Sequence, residues 1–147
     1  MAGLNLGCGK DWASYPEYDG VDNVDFGQKY IIDIEKDGLK GIGNGSIDKI
    51  MAFNILEHID QPQVIFVMNE CNRVLKENGI MDIKVPPADS PLEAFSDPTH
   101  KSWWTYKTFT KYYCGKSPRN ADYGIKKWAM DNLDTSDSGE LKVRLKK

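Results

Sequence analysis

The chain of 147 residues is poor in three features that would each point to a class of protein. Its cysteines, Cys8, Cys71 and Cys114, are too few and too widely spaced for a disulfide framework or a CxxC metal site. No apolar run approaches the roughly 18 residues of a membrane span, and the basic-then-apolar pattern of a signal peptide is missing. Positive charge is not in excess either, because the formal net charge is -3.

These absences exclude several functions. The negative net charge gives no electrostatic reason to expect nucleic acid as the partner. The cysteine pattern favours a reduced, cytoplasmic setting and predicts no metal site. The remaining composition, 40% hydrophobic and 28% charged, is that of an ordinary globular protein. We therefore expect residues 1–147 to form one minimal domain with no membrane association.

Apolar runs between turn residues predict the secondary structure. Five strands are expected, at residues 3–8, within 18–26 with an end near Asp25, and at 30–34, 47–53 and 80–85. The helical spacing of apolar residues over 64–75 predicts a helix between the last two of these strands. Asp60 followed by Gln63 resembles a capping box at its start, and Gly79 is expected to end it.

The rest of the chain predicts loops, a short helix and a hairpin. Residues 86–102 are predicted as a loop, 105–113 as a short helix, and 115–121 as a polar connector. Two final strands, at 123–134 and 139–147, are joined by the turn TSDSG. Strands that alternate with helix-length segments predict an α/β fold with a mostly parallel sheet. Because only about ten residues separate the first two strands, the helix between them must be short or distorted.

The stretch LNLGCG, residues 4–9, places two glycines where the first strand ends. Ligands of open parallel sheets bind at the carboxyl ends of the strands. Gly7 and Gly9 allow the backbone there to take φ > 0 or to approach a ligand closely. A carboxylate at the end of the second strand accepts hydrogen bonds from ribose hydroxyls. Strand length favours Asp25 for that role, and Asp22 is the alternative.

This pattern indicates an adenosine-type ligand and leaves two cofactors to compare. A dinucleotide needs its pyrophosphate seated on a helix N-terminus, helped by a third glycine. Trp12 stands at the position of that third glycine, and the helix that follows is cramped. S-adenosylmethionine has no phosphate and does not need this arrangement. The sequence therefore favours the methyl donor over a nicotinamide dinucleotide.

The order and spacing of the NLGCG, LEH and DPTH blocks resemble the class I S-adenosylmethionine-dependent methyltransferases, in particular a small bacterial and phage-type group. The resemblance covers residues 3–113. It implies a Rossmann-like three-layer sandwich, whose mostly parallel seven-stranded sheet has the order 3-2-1-4-5-7-6 and ends in an antiparallel hairpin. The implied function is methyl transfer from S-adenosylmethionine, by in-line displacement, to a small-molecule acceptor.

The resemblance also implies a set of donor-site residues at the ends of the first four strands. They are Leu6, Gly7, Cys8 and Gly9 at the methionine part, Asp25 at the ribose, Asp33 and Ile34 at the adenine, and Asn54 and His58 near the methyl group. Asp33 as a solvated acid and His58 as a residue bonded to backbone are the structural alternatives. Cys8 is expected to be kept for its size, because nothing nearby in sequence would lower its pKa.

The stretch SDPTHKSWWT, residues 96–105, is the second candidate for chemistry. Asp97 and His100 are expected to face the acceptor, with His100 as the candidate general base. Trp103 and Trp104 are candidates for the wall of an acceptor pocket. The structural alternative is that Asp97 starts a turn and the two tryptophans pack the loop onto the sheet.

Two other functions stay open from the sequence. A non-catalytic binder with the same fold is favoured by the short first crossover and by Asn5, where many family members carry an acidic residue. A nicotinamide-dependent oxidoreductase shares the strand-end glycines, and Trp12 argues against it.

Overall fold

The computed structural model describes residues 1–116, 119–136 and 139–147. Within these ranges the strands are β1 (Gly3–Leu6), β2 (Asp19–Asp22), β3 (Tyr30–Ile31), β4 (Ile47–Phe53), β5 (Leu75–Val85), β6 (Ala129–Thr135) and β7 (Leu141–Lys146). They form one sheet in the order β3-β2-β1-β4-β5-β7-β6. Neighbours from β3 to β5 pair in parallel, and β7 pairs antiparallel with both β5 and β6. The predicted α/β Rossmann-like class, strand order and C-terminal hairpin are confirmed.

Short helices connect these strands. The α-helices are α1 (Ile34–Asp37), α2 (Val64–Val74), α3 (Pro91–Phe95) and α4 (Arg119–Asp122). The other helical turns are 3₁₀ helices at Gly9–Ser14, Leu56–His58 and Gln61–Gln63, and a π-helix at Thr108–Tyr113. None of the helices in the described ranges is long and apolar enough to cross a membrane. The cramped first crossover is confirmed, because a 3₁₀ helix of six residues fills it.

Two short helices lie where the sequence predicted a loop and a connector. Helix α3 lies within the predicted loop at residues 86–102, and α4 begins in the predicted connector at 115–121 and ends one residue beyond it. The short helix expected at 105–113 is present as a π-helix over most of its length. Residues 117 and 118 of the connector and 137 and 138 of the hairpin turn lie outside the described residues.

The predicted end of the second strand, near Asp25, is wrong. Strand β2 ends at Asp22, where the side chain turns back and its Oδ1 accepts from the amide of Val24 at 3.1 Å. The chain then folds around the buried side chain of Gln28, whose Nε2 donates to the Val24 carbonyl at 2.8 Å. Backbone groups that a longer strand would pair in the sheet are paired with side chains instead.

The predicted limits of the long helix are also wrong. Helix α2 ends at Val74, and Leu75 already has extended backbone and pairs with Ile47 of β4. Gly79 lies inside β5, where a Cβ would stand 2.9 Å from the Lys76 carbonyl oxygen. Burial of Leu75 in the sheet overrides the helical propensity of the following residues. At the other end, Asp60 makes no side-chain cap.

The core lies between α2 and one face of the sheet. Buried side chains of α2, including Met68, Cys71 and Val74, pack against the strands. Strand β7 alternates buried and exposed residues, and Arg144 on its exposed face binds Asp82 of β5 through two hydrogen bonds of 2.6 and 3.0 Å. This period of two is typical of a sheet with one face in the core.

Candidate functional site

The glycine turn after β1 has the left-handed backbone that the sequence predicts. Gly7 has φ +62° and Gly9 has φ +55°, and the Gly7 amide donates to the carbonyl of Val21 at 2.8 Å. A Cβ on Gly7 would lie 2.6 Å from Cδ1 of Ile55, whereas a Cβ on Gly9 would meet nothing within 4 Å. Glycine is therefore favoured at position 7 by the positive φ and by the close approach of Ile55, and at position 9 by the positive φ alone.

A cavity of about 280 Å³ opens beside this turn, at the carboxyl ends of β1 to β4. We call it the first cavity. Its apolar lining comes from Val21, Ile32, Ile34, Ile55 and Ile59. Its charged lining comes from Asp22, Asp33, Glu35 and Lys101. The size is near the lower end of small-molecule sites, about 300–1,000 Å³, and the mixed lining suits a ligand with an apolar ring and polar edges.

Asp22, and not Asp25, lines the first cavity. Oδ2 of Asp22 accepts from the amide of Gly9 at 2.9 Å, so the carboxylate is tied to the glycine turn. Each of its oxygens makes one of these turn bonds and keeps a further lone pair. Asp25 is exposed, and its Oδ1 accepts from the amide of Gly27 at 2.9 Å. The structure thus brings the alternative residue to the predicted position.

Asp33 has a structural role and also lines the first cavity. Its Oδ1 accepts from the amide of Glu35 at 3.1 Å and caps α1. Its Oδ2 lies 3.1 Å from Nζ of Lys36, and the hydrogen bond to that ammonium lowers the pKa of the Asp33 carboxyl. Ile34, the next residue, is buried and lines the same cavity. The adenine contacts predicted for both residues stay predictions.

The other predicted donor-site residues are spread around the turn. The side chains of Leu6 and Cys8 are buried, and burial raises the pKa of the Cys8 thiol. Sγ of Cys8 would lie 2.9 Å from a Cβ on Gly20, so the thiol fills space against β2. Asn54, at φ +54°, follows β4 and lines a different cavity.

That second cavity, of about 440 Å³, shares one lining residue, His58, with the first. The titratable residues that line it are Glu57, His58, Glu93, Asp97, His100 and Glu140. Both predicted acceptor-side residues, Asp97 and His100, are therefore at this cavity. Acidic residues outnumber basic ones in both linings, and among the described lining residues of the second cavity there is no lysine or arginine.

Backbone hydrogen bonds hold the two sides of the second cavity together. The amides of Lys101 and Ser102 donate to the Glu57 carbonyl at 2.7 and 3.1 Å. Oγ of Ser102 donates to the Leu56 carbonyl at 2.8 Å. The segment that carries His100 is thus fixed against the 3₁₀ helix that carries Glu57 and His58.

Asp97 and His100 lie at the predicted acceptor side, and Asp97 also starts a turn, as the structural alternative predicted. Oδ1 of Asp97 accepts from the amide and the hydroxyl of Thr99 at 2.8 and 2.7 Å, so Asp97 does start a turn. Nδ1 of His100 lies 2.7 Å from the Ala94 carbonyl oxygen, and Nε2 lies 3.6 Å from Oδ2 of Asp97. His100 faces the cavity with an oriented ring, as a candidate general base would need.

The two tryptophans lie outside both cavity linings in the part of the chain that the structure describes. Trp104 is 1% exposed and stacks on Phe109 in the core at a centroid distance of 5.3 Å. Trp103 is 45% exposed and stacks on Phe95 of α3 at 5.6 Å. The alternative that the tryptophans pack the loop onto the sheet therefore applies to Trp104, whereas Trp103 packs on α3.

Glu57 is the site residue that the sequence interpretation missed. It is 3% exposed, and its Oε2 is buried with no hydrogen-bond partner among the described residues. Burial raises the pKa of the Glu57 carboxyl to about 7, although its own backbone amide works in the opposite direction. Its only sequence signal was its place beside His58 in the LEH motif.

Solved structures of methyltransferases share this architecture. A SAM-dependent methyltransferase from Archaeoglobus fulgidus superposes with a TM-score of 0.72 at 16% identity, over 100% of this chain and 86% of that one. The 1,6-didemethyltoxoflavin-N1-methyltransferase of Burkholderia thailandensis, solved with 1,6-didemethyltoxoflavin and S-adenosylhomocysteine, matches with a TM-score of 0.66 at 14% identity. That match covers 99% of this chain and 70% of that one.

A further neighbour is a SAM-dependent methyltransferase from Thermotoga maritima, described as a possible histamine N-methyltransferase. Its TM-score is 0.65 at 12% identity, over 99% of this chain and 82% of that one. No protein-family model and no curated protein sequence matches the chain. The fold is thus the Rossmann-like fold of these methyltransferases, and the likeness at such identities is one of fold.

Proposed function

We propose that the chain is an S-adenosylmethionine-dependent methyltransferase that acts, as one minimal domain, on a small-molecule acceptor. The observation that carries the proposal is the position of Asp22. Its carboxylate lines the first cavity, is bonded to the glycine turn, and keeps lone pairs that can accept from ligand hydroxyls. The fold shared with S-adenosylmethionine-dependent methyltransferases supports the same interpretation.

The residues of the first cavity fit an adenosine group with a short polar tail. Asp22 would hold the ribose hydroxyls, in the role predicted for Asp25 from the sequence. Ile34 offers an apolar surface for the adenine, and Asp33 beside it would accept from the exocyclic amino group. The turn around Gly7 would face the methionine part of the donor.

The second cavity suits the acceptor because it shares the lining residue His58 with the first. When bound, S-adenosylmethionine supplies an activated methyl group on a sulfonium for in-line displacement. The protein then contributes mainly by holding the acceptor atom in line at near-attack distance. His100 is placed to take a proton from an acceptor that needs deprotonation, with Asp97 beside it.

A nicotinamide dinucleotide fits less well. The element after the glycine turn is a 3₁₀ helix of six residues and not an α-helix whose N-terminus could seat a pyrophosphate. Trp12 occupies the position of the third glycine and donates from Nε1 to the Phe26 carbonyl at 2.9 Å. Its indole thereby ties the first crossover to the loop after β2.

The test is calorimetric titration of the full chain with S-adenosylhomocysteine. We expect one binding site, and we expect Asp22→Asn to weaken binding by tenfold or more, since a hydrogen bond to a charged group contributes about 1.5–3 kcal/mol. Asp22→Asn keeps an accepting oxygen for only one of the two turn hydrogen bonds, so circular dichroism and urea unfolding of the variant accompany the titration and show that it is folded. The matched control, Asp25→Asn, should bind like the wild type because Asp25 lies outside the cavity lining.

Three results would contradict the proposal at different levels. Equal dissociation constants for the wild type and Asp22→Asn would remove the ribose assignment. Failure of the wild type to bind S-adenosylhomocysteine, with NADH binding detected by fluorescence, would replace the methyl donor by a dinucleotide. Donor binding without methyl transfer to any acceptor tested would favour the non-catalytic binder.

A further inference from the structure

Both histidines of the chain lie at one place, although 41 residues separate them along the sequence. His58 and His100 meet edge to face with their ring centroids 4.9 Å apart. One ligand atom from each of Glu57, His58 and His100 lies within 4.8 Å of the others. In a chain with two histidines and 22 acidic residues, their convergence on one buried carboxylate is the feature to explain.

The tautomer of His100 is determined by its neighbour. Nδ1 lies 2.7 Å from the Ala94 carbonyl oxygen, which can only accept, so Nδ1 carries the proton and donates. Nε2 is then left with its lone pair. A histidine that binds a metal usually donates its other ring N–H to a carbonyl or carboxylate in this manner.

His58 is oriented in the same way. Its Nδ1 lies 3.2 Å from both the carbonyl oxygen and Oγ1 of Thr99. Because Oγ1 of Thr99 donates its own proton to Asp97 at 2.7 Å, that hydroxyl oxygen acts as an acceptor toward His58. Nδ1 of His58 therefore donates, and its Nε2 also keeps a lone pair.

Glu57 is the third residue of the cluster, and one of its carboxylate oxygens, Oε2, has no hydrogen-bond partner among the described residues. A buried carboxylate oxygen with no partner is costly unless a cation or a hydrogen-bond donor reaches it. With both rings neutral and protonated at Nδ1, the Nε2 lone pairs and the Glu57 carboxylate are three acceptors in one cluster, in which one ligand atom of each residue lies within 4.8 Å of the others.

We propose that Glu57, His58 and His100 bind a divalent first-row transition metal ion of the Zn²⁺ class at the point where His58 lines both cavities. Tetrahedral zinc with bonds of about 2.0–2.2 Å holds its ligand atoms roughly 3.3–3.6 Å apart, so ligand atoms that lie within 4.8 Å of one another would approach by about an ångström when the ion binds. Two histidines and one carboxylate form a ligand set found in catalytic zinc sites, which keep a position open for water or substrate. The acidic residues around the second cavity favour a cation there.

Binding of the ion does not depend on methyl transfer, but its role toward an acceptor rests on the proposed function. With the ion bound, His100 would be a ligand and the ion would replace it in activating the acceptor. Its open position would face the second cavity, where an acceptor oxygen or a water could bind the ion. A bound metal lowers the pKa of such an oxygen and would favour hydroxyl acceptors over amines. Because Zn²⁺ binding is measured without S-adenosylmethionine, a failure of the metal site can be distinguished from a failure of the methyl-donor site.

The experiment uses the full chain after treatment with a chelator. Calorimetric titration with Zn²⁺ alone should give one binding site per chain. Titration with Co²⁺ should give visible absorption bands typical of nitrogen and oxygen ligands. His100→Gln and Glu57→Gln should each weaken Zn²⁺ binding by at least tenfold, and the Co²⁺ bands should weaken with them. Glu93→Gln is the matched control, because Glu93 lines the second cavity outside the three-residue cluster.

Several outcomes would overturn the site. They are an absence of Zn²⁺ binding by the wild type, unchanged binding in both cluster variants, or an equal loss in Glu93→Gln. A Co²⁺ spectrum with a thiolate charge-transfer band would assign the ion to a cysteine such as Cys114 instead. Circular dichroism checks that each variant is folded, and if Glu57→Gln does not fold, His100→Gln carries the test because its ring is closer to solvent.

Discussion

The two cavities are built from different parts of the fold. The first lies at the ends of parallel strands, where the Gly7 turn and the end of β2 are bonded to each other through Asp22. The second is lined mainly by the segment after β4 and the segment after β5, which are joined by hydrogen bonds from residues 101 and 102 to Glu57. The first cavity therefore follows from the sheet, whereas the second can change without changing the sheet.

The carboxylates of the two cavities differ in how far their hydrogen bonds are satisfied. Both carboxylate oxygens of Asp22 accept hydrogen bonds from the surrounding turn. Oε2 of Glu57 is buried without a partner among the described residues. A satisfied group such as Asp22 holds a structure together, and an unsatisfied buried group such as Glu57 points to something that is bound. The predictions below test this division between the two cavities.

The largest effect is expected at the support of the second cavity. Trp104 is buried, its Nε1 donates to Oγ of Ser102 at 3.0 Å, and its carbonyl accepts from Ala88 at 2.7 Å. Trp104→Ala should lower the free energy of unfolding by about 3–5 kcal/mol, measured in urea. Trp103→Ala, at an exposed stacking partner, should cost under about 1 kcal/mol. Similar losses for both variants would contradict the packing assigned to Trp104.

The next effect concerns the turn of the first cavity. Gly7→Ala combines a left-handed backbone with contact at 2.6 Å to Ile55, and should cost roughly 2–4 kcal/mol of unfolding free energy. Gly9→Ala has the same backbone but open space, and should cost about 1–2 kcal/mol. Urea unfolding measures both. If Gly9→Ala cost as much as Gly7→Ala, the close approach of Ile55 would not explain the glycine.

The smallest effect separates the two roles of Asp33. Asp33→Ala removes the cap of α1 and should cost about 1 kcal/mol, while Asp33→Asn keeps a capping oxygen and should cost little. Because the folded-state pKa of Asp33 is lowered, its charge stabilises the fold above the unfolded pKa of about 3.9, and this is lost as the pH falls. Unfolding measured at neutral and acid pH should show the wild type and Asp33→Asn converging in acid. A gap that widens in acid would contradict this sign.

The sheet could be predicted from the sequence because its strands are apolar runs. Strand β4 spans Ile47–Phe53 as predicted, and the end of β5 at Val85 also agrees. The end of β2 could not be predicted in this way, because Asp22 and Asp25 are both compatible with a strand end. The choice depends on Gln28, whose buried amide closes the loop.

The second cavity was less accessible to sequence reasoning. Its clustered residues come from two segments about forty positions apart, and no local pattern joins Glu57 to His100. Asp97 and His100 could be named because loops after a strand of a parallel sheet face its ligand edge. Glu57 resembles an ordinary helical acid until the fold shows that it is buried.

The place of β7 in the sheet has a consequence for synthesis on the ribosome. Residues 141–146 pair with residues 80–85 on one side and with β6 on the other, so they fill an interior position. Until they emerge, the edge of β5 stays open to pairing with other nascent chains. The sheet can therefore close only after β7 has been synthesised, and the edge of β5 is unpaired until then.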